Sequence, residues 1–573
     1  MKTSLRAAAL AAALLPCLAL GFSFDDVHFW VGEGTNRMVV VIDWNVPDAP
    51  SSLAWGYRWN GAAPAMARAI SDIAREDPRL HYASSQSSWG TSIDGFGYDL
   101  ADVAAAFDPA SGTASVPGAL AGGYVGPFYW AQSPGTGSDF ASAAWTYGSG
   151  VDLDLAAPGG WYCFKHTNWQ TWESSEPVAE PAAAESPYAW RVVAADVAAY
   201  TGWDGLSSDP AVALGAPART VSGYNDIPVH PATPGDVAWE TDRIVKLATA
   251  TDKDVGGSIT LEFDHPVADD PRNPFGLDFI VFSYRFLTIR GGYYSTSDPA
   301  SVSPLADTMY APAARVEASA DGETWFDAGT GLSGEKAFAP TLGYRYDPEN
   351  PDPDIFAGTS FENGWWGAPA DATRPVDPAF DLEACKGLTL AEICRRYDGS
   401  AGGTGFDIGG LDLPRDEQGR KYIRFVRITS LEPGGEISVD AVSDVAPAPS
   451  FRNWVDAHFP FSERPGVTKS TVCANGETAL VNAALGLSPD APAPAAWAIE
   501  GFDPATRTLA APLAPLASDL VRLRASTNLA ASAWSVSVPL WTGTNALGRP
   551  LLRAQDPATA DSPAAFFRLE LHE

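Results

Sequence analysis

Basic residues are scarce in this chain: 37 lysines and arginines stand against 70 aspartates and glutamates, a formal charge of −33. That field repels nucleic acid and anionic membranes, and no local run of basic residues offsets it. Nucleic acid is thereby excluded as a partner, while cationic ligands stay open. The same acidity keeps an exported protein soluble. Histidine is also rare, at 7 of 573 residues, and the chain has no His-Glu-x-x-His helix, no paired-cysteine zinc spacing and no Gly-x-Ser-x-Gly elbow. The familiar signatures of zinc proteases and α/β-hydrolases are therefore missing. A glycine-rich run at residues 402–410 lacks the Lys-Ser/Thr helix start of a phosphate loop and reads as a flexible loop. Beyond the first residues no segment approaches the roughly 20 apolar residues that span a bilayer, so no transmembrane span is expected in the mature chain.

What is present points outward from the cell. Lys2 and Arg6, an apolar run from Leu10 to Leu20, and the small residues Ala19 and Gly21 form a signal peptide over residues 1–21, with cleavage before Phe22. Cys17 would suit a lipid anchor, but Pro16 sits where such signals carry a small residue. Cys163, Cys385, Cys394 and Cys473 then remain, and four cysteines allow three full pairings that sequence does not distinguish. Export permits disulfides, and Cys385 with Cys394 is the closest local pair.

The length calls for about three or four domains, and an apolar content of 46% argues for folded cores. Residues 22–172 read as an α+β domain. Val39 to Ile42 is a buried strand, and Met66, Ile70 and Ile73 share a helical face that Pro78 ends. Residues 173–187, rich in Glu, Ser, Pro and Ala, read as a linker. Residues 188–445 carry the clearest strands. Ile259, Leu261 and Phe263 alternate onto one sheet face, and Asp321-Gly322 joins two strands as a hairpin turn. Thr389 and Glu392 have capping-box spacing for a helix that carries Cys394. An antiparallel β-sandwich is expected there. Residues 446–573 begin with a helix capped by Ser450 and carrying Trp454, pass a second Pro-Ala linker, and end in strands near 520–525, 534–538 and 566–571, a small C-terminal β-sandwich. The fold class is thus mainly β and multidomain.

Four stretches, Gly257 to Leu261, Asp278 to Phe282, Val316 to Trp325 and Val439 to Val442, resemble in their order the galactose-binding-like, discoidin-type jelly-roll modules of bacterial extracellular proteins. The resemblance covers about 230 residues and implies a jelly roll that binds carbohydrate and holds a structural Ca²⁺ in several relatives. The insertion from Tyr344 to Tyr397 departs from the simplest pattern. Ala525 to Leu529, Trp534-Ser535 and Ala565 to Leu569 resemble a C-terminal module of secreted verrucomicrobial-type proteins, and Phe29 to Gly32 with Trp55 to Gly61 resembles an uncharacterised bacterial surface domain.

Three groups of residues are candidates for a site. Trp55, Tyr57 and Trp59 alternate on one strand face with Arg58 opposite; such a row either stacks on a ligand or fills a core. Asp278, Asp407 and Asp440 lie at strand or loop ends beside glycines, where carboxylates suit a hard cation such as Ca²⁺, or else end strands and satisfy turns. His166, among Trp161, Trp169 and Trp172, is either a metal ligand or structural. Together these features lead to a secreted or cell-surface binding protein rather than an enzyme, engaging an extracellular glycan. A structural or adhesive envelope protein with protein partners is one alternative. An unrecognised extracellular hydrolase is the other, because two carboxylates need only meet in space.

Overall fold

The structure is a computed structural model that describes residues 21–490 apart from residues 48–49, 89, 101–106, 115–118, 198–205, 222–228, 237–242, 248–256, 290–297, 330–337, 353–363, 417–418, 432–436 and 486; beyond residue 490 it describes strand backbone alone. The signal peptide and Cys17, and the strand expected near 534–538, lie outside the described residues. The chain is mainly β and forms several sheets. Among the described residues no helix is long and apolar enough to cross a membrane.

The N-terminal half is organised by a mixed seven-stranded sheet. The strand Asn36–Asp43 pairs antiparallel with Ser52–Trp59 on one side and parallel with Gly160–Asn168 on the other. Both faces are covered, which is why the central strand is apolar without interruption. Met38, Val40 and Ile42 pack toward the helix Met66–Glu76, whereas Val39 and Val41 pack with Trp161 and Phe140. The helix presents Met66, Ile70 and Ile73, all buried, as its spacing predicts. A three-stranded sheet, built from Leu80–Ser87, Gly90–Asp99 and Ala119–Gly123, adds Phe96, Tyr98 and Leu120 to the same core.

The linker reading of residues 173–187 requires correction. Ala182–Ala183 extends the large sheet by pairing parallel with Leu53 and Ala54, Ala184 and Ser186 are buried, and Lys165 Nζ donates to the carbonyls of Ser174 and Glu176 at 3.0 Å each. A segment poor in large apolar residues is held here by backbone pairing with an edge that would otherwise be left open.

The middle region is sandwich-like. One antiparallel sheet orders Arg191–Asp196, Ser258–Ala268, Tyr422–Ser430, Ala314–Ser319 and Phe326–Gly329; the other orders Val245–Lys246, Ser438–Asp444, Phe279–Ser283 and Thr404–Phe406. Ile259, Leu261 and Phe263 meet Phe279, Val281, Val439 and Val442 between them. The expected hairpin is present, with Gly322 at φ 76° and the Asp321 carboxylate accepting the amides of Glu323 and Thr324. Residues 402–410 are not merely a loop, because Thr404–Phe406 pairs with Phe279–Val281.

The other face of the second sheet carries Ile280, Phe282 and Ala441, and the insertion covers it with Trp366, Leu390, Ile393 and Tyr397. The same apolar cluster runs on into the N-terminal core. Thr389 and Glu392 form the capping box of the helix Leu390–Arg396. Cys385, in a 3₁₀ turn, and Cys394, on that helix, are both free thiols. The expected disulfide is absent: each side chain packs into the apolar cluster instead, and burial pushes the Cys385 thiol up to about 12. The helix Ser450–His458 has Pro449 rather than Ser450 in the capping position. Beyond residue 490, Val521–Ser526 pairs with Phe566–Leu571, and Gly501–Asp503, Thr508–Ala511, Pro550–Gln555 and Leu540–Thr544 form a four-stranded sheet in that order.

Candidate functional site

Three strand ends meet at one edge of the sandwich. Asp269 follows Ser258–Ala268 of the first sheet, while in the second sheet Asp278 precedes Phe279–Ser283 and Asp407 follows Thr404–Phe406. Pairing of Phe279 with Phe406 brings the latter two together. The three carboxylates offer oxygens within 4.8 Å of one another. Asp278 is buried, Asp269 half-buried and Asp407 exposed, so the group forms a short path from core to solvent.

The arrangement is electrostatically unbalanced. Asp278 accepts the Ile408 amide at 2.8 Å and the Asn273 side-chain amide at 2.9 Å, yet burial, followed by the charges of Asp269 and Asp407, pushes its carboxyl up to about 7. Burial and then Asp407 also raise Asp269, although Lys421 and Arg415 pull it down. Lys421 Nζ is turned to the carbonyls of Gly409 and Leu411, at 2.5 and 2.6 Å. The buried Asn273 Oδ1 has no hydrogen-bond partner among the described residues. Gly409 stands close: a Cβ there would lie 2.9 Å from Asp407 Oδ1 and 3.3 Å from Asp269 Oδ2. A set of hard oxygens carrying excess negative charge fits a divalent cation of the Ca²⁺ type.

Of the three aspartates singled out in the sequence, Asp278 and Asp407 converge and Asp440 does not. Asp440 lies inside the strand Ser438–Asp444, and both its oxygens accept the Ala218 amide at 3.0 Å. It stands four residues from Asp444, the residue paired with Phe279, which at about 3.3 Å per residue is far beyond ligand reach. The third member of the cluster is Asp269, which sequence reasoning missed. Its signal was the Asp269-Asp270 pair directly after a strongly alternating strand.

The aromatic row is core. Trp55, Tyr57 and Trp59 are 0%, 5% and 6% exposed. Trp55 Nε1 donates to Asp77 at 2.8 Å, and the Tyr57 hydroxyl donates to Asp72 at 2.9 Å. The helix Met66–Glu76 covers the face on which a ligand platform was expected. Arg58, on the opposite face, is exposed and lies over the Trp30 ring at 4.9 Å. It lines a cleft of about 400 Å³ between the N-terminal and middle regions, together with Arg219, Arg243 and the His28–Trp190 stack. Glu76 and Glu33 pair with Arg219 and Arg243 there, so the cleft's charges are largely satisfied internally.

His166 is structural. Its Nε2 meets the Gly123 carbonyl at 3.0 Å, the ring is stacked on Phe128, and burial lowers its pKa. Its neighbours separate: Trp161 is buried on the far face of the sheet, while Trp169 and Trp172 are exposed. No known protein family, no curated protein and no solved structure matches the chain.

Proposed function

We propose that this chain is an exported binding protein of the cell surface or extracellular medium whose middle sandwich is completed by a structural Ca²⁺ at Asp269, Asp278 and Asp407. The convergence of these three carboxylates from the ends of three strands in two sheets carries the reading. Bringing like charges together raises the free energy of the folded state unless a cation joins them. Weak Ca²⁺ modules work where the ion is near millimolar, which is an extracellular condition. The signal-like N-terminus and the order of strand motifs support the same placement, and the resemblance of the middle region makes carbohydrate the ligand class to test.

The first experiment is thermal unfolding of the full chain with Ca²⁺, with Mg²⁺ and with chelator, beside an Asp278→Asn variant. Ca²⁺ at about 1 mM is expected to raise the unfolding temperature by several degrees. Asp278→Asn should be as stable as the parent in chelator, or more so, and should not respond to Ca²⁺. Identical unfolding of the parent in Ca²⁺ and in chelator would remove the metal reading.

One observation favours a second reading, a structural envelope protein. The apolar cluster that is continuous from the N-terminal sheet into the insertion makes a stiff unit suited to a spacer. That reading predicts protein partners across a broad interface and no small ligand.

A further inference from the structure

Since Trp55, Tyr57 and Trp59 are spent on the core, aromatic rings able to meet a ligand have to come from elsewhere, and one edge of the N-terminal sheet supplies them. A groove of about 320 Å³ lies where Gly90–Asp99 approaches Phe128–Thr136. Trp130 is among its lining residues and is 3% exposed, with its Nε1 donating to the Gly122 carbonyl. Tyr124, also lining it, is 52% exposed; Tyr129 lines it too, its phenol raised by burial and then by the neighbouring Tyr147, which is 70% exposed outside the lining. Rings this exposed contribute little to folding.

Apart from Gly90 and the buried Ile93, the remaining lining is polar but uncharged. Ser92 brings a hydroxyl and Gln132 an amide, while the Thr91 hydroxyl is engaged by Asp152 and by the Gln86 side-chain amide, each at 2.7 Å. Gln132 lies 3.3 Å from the Tyr162 hydroxyl, which donates its hydrogen to Asp154 Oδ2 at 2.8 Å. The nearby Asp152 is occupied in bracing the hairpin, its two oxygens taking the Thr91 amide at 2.6 Å and the Thr91 hydroxyl at 2.7 Å. Among the described residues no charged side chain lines the groove, which is notable in a chain of net charge −33.

We propose that this groove binds a neutral polysaccharide, its Tyr124 and Tyr129 rings, with Tyr147 beside them, meeting sugar faces and Ser92 and Gln132 meeting sugar hydroxyls. Sugars present both an apolar C–H face and hydroxyls that donate and accept, which matches exposed rings beside uncharged polar groups. An anionic glycan finds no cation in the lining and is repelled by the protein's overall charge. The site lies outside the middle region and is independent of the carboxylate cluster, though its biological sense rests on the reading of the chain as an extracellular binding protein.

The test is native affinity electrophoresis of the full chain in gels containing laminarin, hydroxyethylcellulose, xylan, galactomannan or soluble starch, with polygalacturonate as the anionic polymer. Retardation by at least one neutral polymer is expected. Tyr124→Ala/Tyr147→Ala should weaken it at least tenfold, and Tyr124→Phe, which keeps the ring, should preserve it. No retardation in any neutral gel, retardation by polygalacturonate alone, or equal retardation of the double variant would overturn the proposal. The Ca²⁺-dependent unfolding assay is run on the same samples. A Ca²⁺ response without retardation overturns the groove and leaves the metal reading standing, whereas retardation without a Ca²⁺ response does the reverse. An unfolding temperature equal to the parent's shows that the double variant is folded.

Discussion

Asp269 and Asp270 are neighbours at the end of the strand Ser258–Ala268, yet they enter opposite environments. Asp269 turns to Asp278 and Asp407, whose charges add to its own. Asp270 is buried among cations: Arg272 Nε and Nη2 donate to it at 2.9 and 2.6 Å, and Arg420 Nη1 at 2.8 Å. Burial raises the carboxyl of Asp270, but these arginines outweigh it and hold it below the ordinary carboxylate range. A third arrangement lies a few residues away, where Asp264 and Asp444 enclose the buried His265 at 2.8 and 3.0 Å. The carboxylates of the second and third groups have opposite charges of their own, and their role is to hold the structure together. Those of the first group lack enough positive charge, and that shortage is what the proposed cation would relieve.

Replacing one member of each pair should break this comparison. The largest effect is expected for Asp270→Asn, which leaves Arg272 and Arg420 mostly buried without their shared anion and should cost about 3–5 kcal/mol in urea unfolding. Asp269→Asn, one residue away, should change stability in chelator by less than about 1 kcal/mol. A similar loss for both would mean that the cluster is as structural as its neighbour. The aromatic residues allow a parallel contrast. Trp55→Ala opens a cavity under the helix Met66–Glu76 and should cost about 3–5 kcal/mol, while Tyr124→Ala on the groove should stay within about 0.5 kcal/mol.

A smaller effect concerns pH. Burial alone would lower the His265 imidazole, but hydrogen bonds to Asp264 and Asp444 prevail over it and over the repulsion of Arg79, holding the group up at about 10. Between the unfolded value near 6.5 and that folded value the native state keeps a proton that the unfolded chain releases, so stability falls as pH rises through this window. The parent should lose about 1–3 kcal/mol more than His265→Gln between pH 7 and pH 10, measured by urea unfolding at each pH. Equal losses in both proteins would show that the imidazole carries no such charge.

Much of the fold was legible because its signals are local. The alternation of Ile259, Leu261 and Phe263, the Asp321-Gly322 turn, the Thr389 and Glu392 box and the Met66, Ile70 and Ile73 face each depend on a few consecutive residues, and each stands where its pattern put it. The site was half legible. Asp278 and Asp407 were found because they flank strands, whereas Asp440 has the same appearance in sequence but lies within a strand and satisfies a buried amide. Asp269 could not be told from Asp270 by residue type; the difference is the direction in which the chain turns after Ala268 and where Arg272 and Arg420 fall. The Trp55 row alternated as expected, but alternation says only that the rings share a face.

The sequence by itself determined the mainly β character of the protein, its acidic surface and the positions of its best strands, since these follow from composition and from periodicities of a few residues. Tertiary structure alone decided which faces are covered, that Ala182–Ala183 completes the large sheet, that Cys385 and Cys394 remain thiols, and which three of many aspartates meet. Each of these depends on groups far apart in the chain, and their distance in space is set by sheet order and packing, which no local pattern encodes.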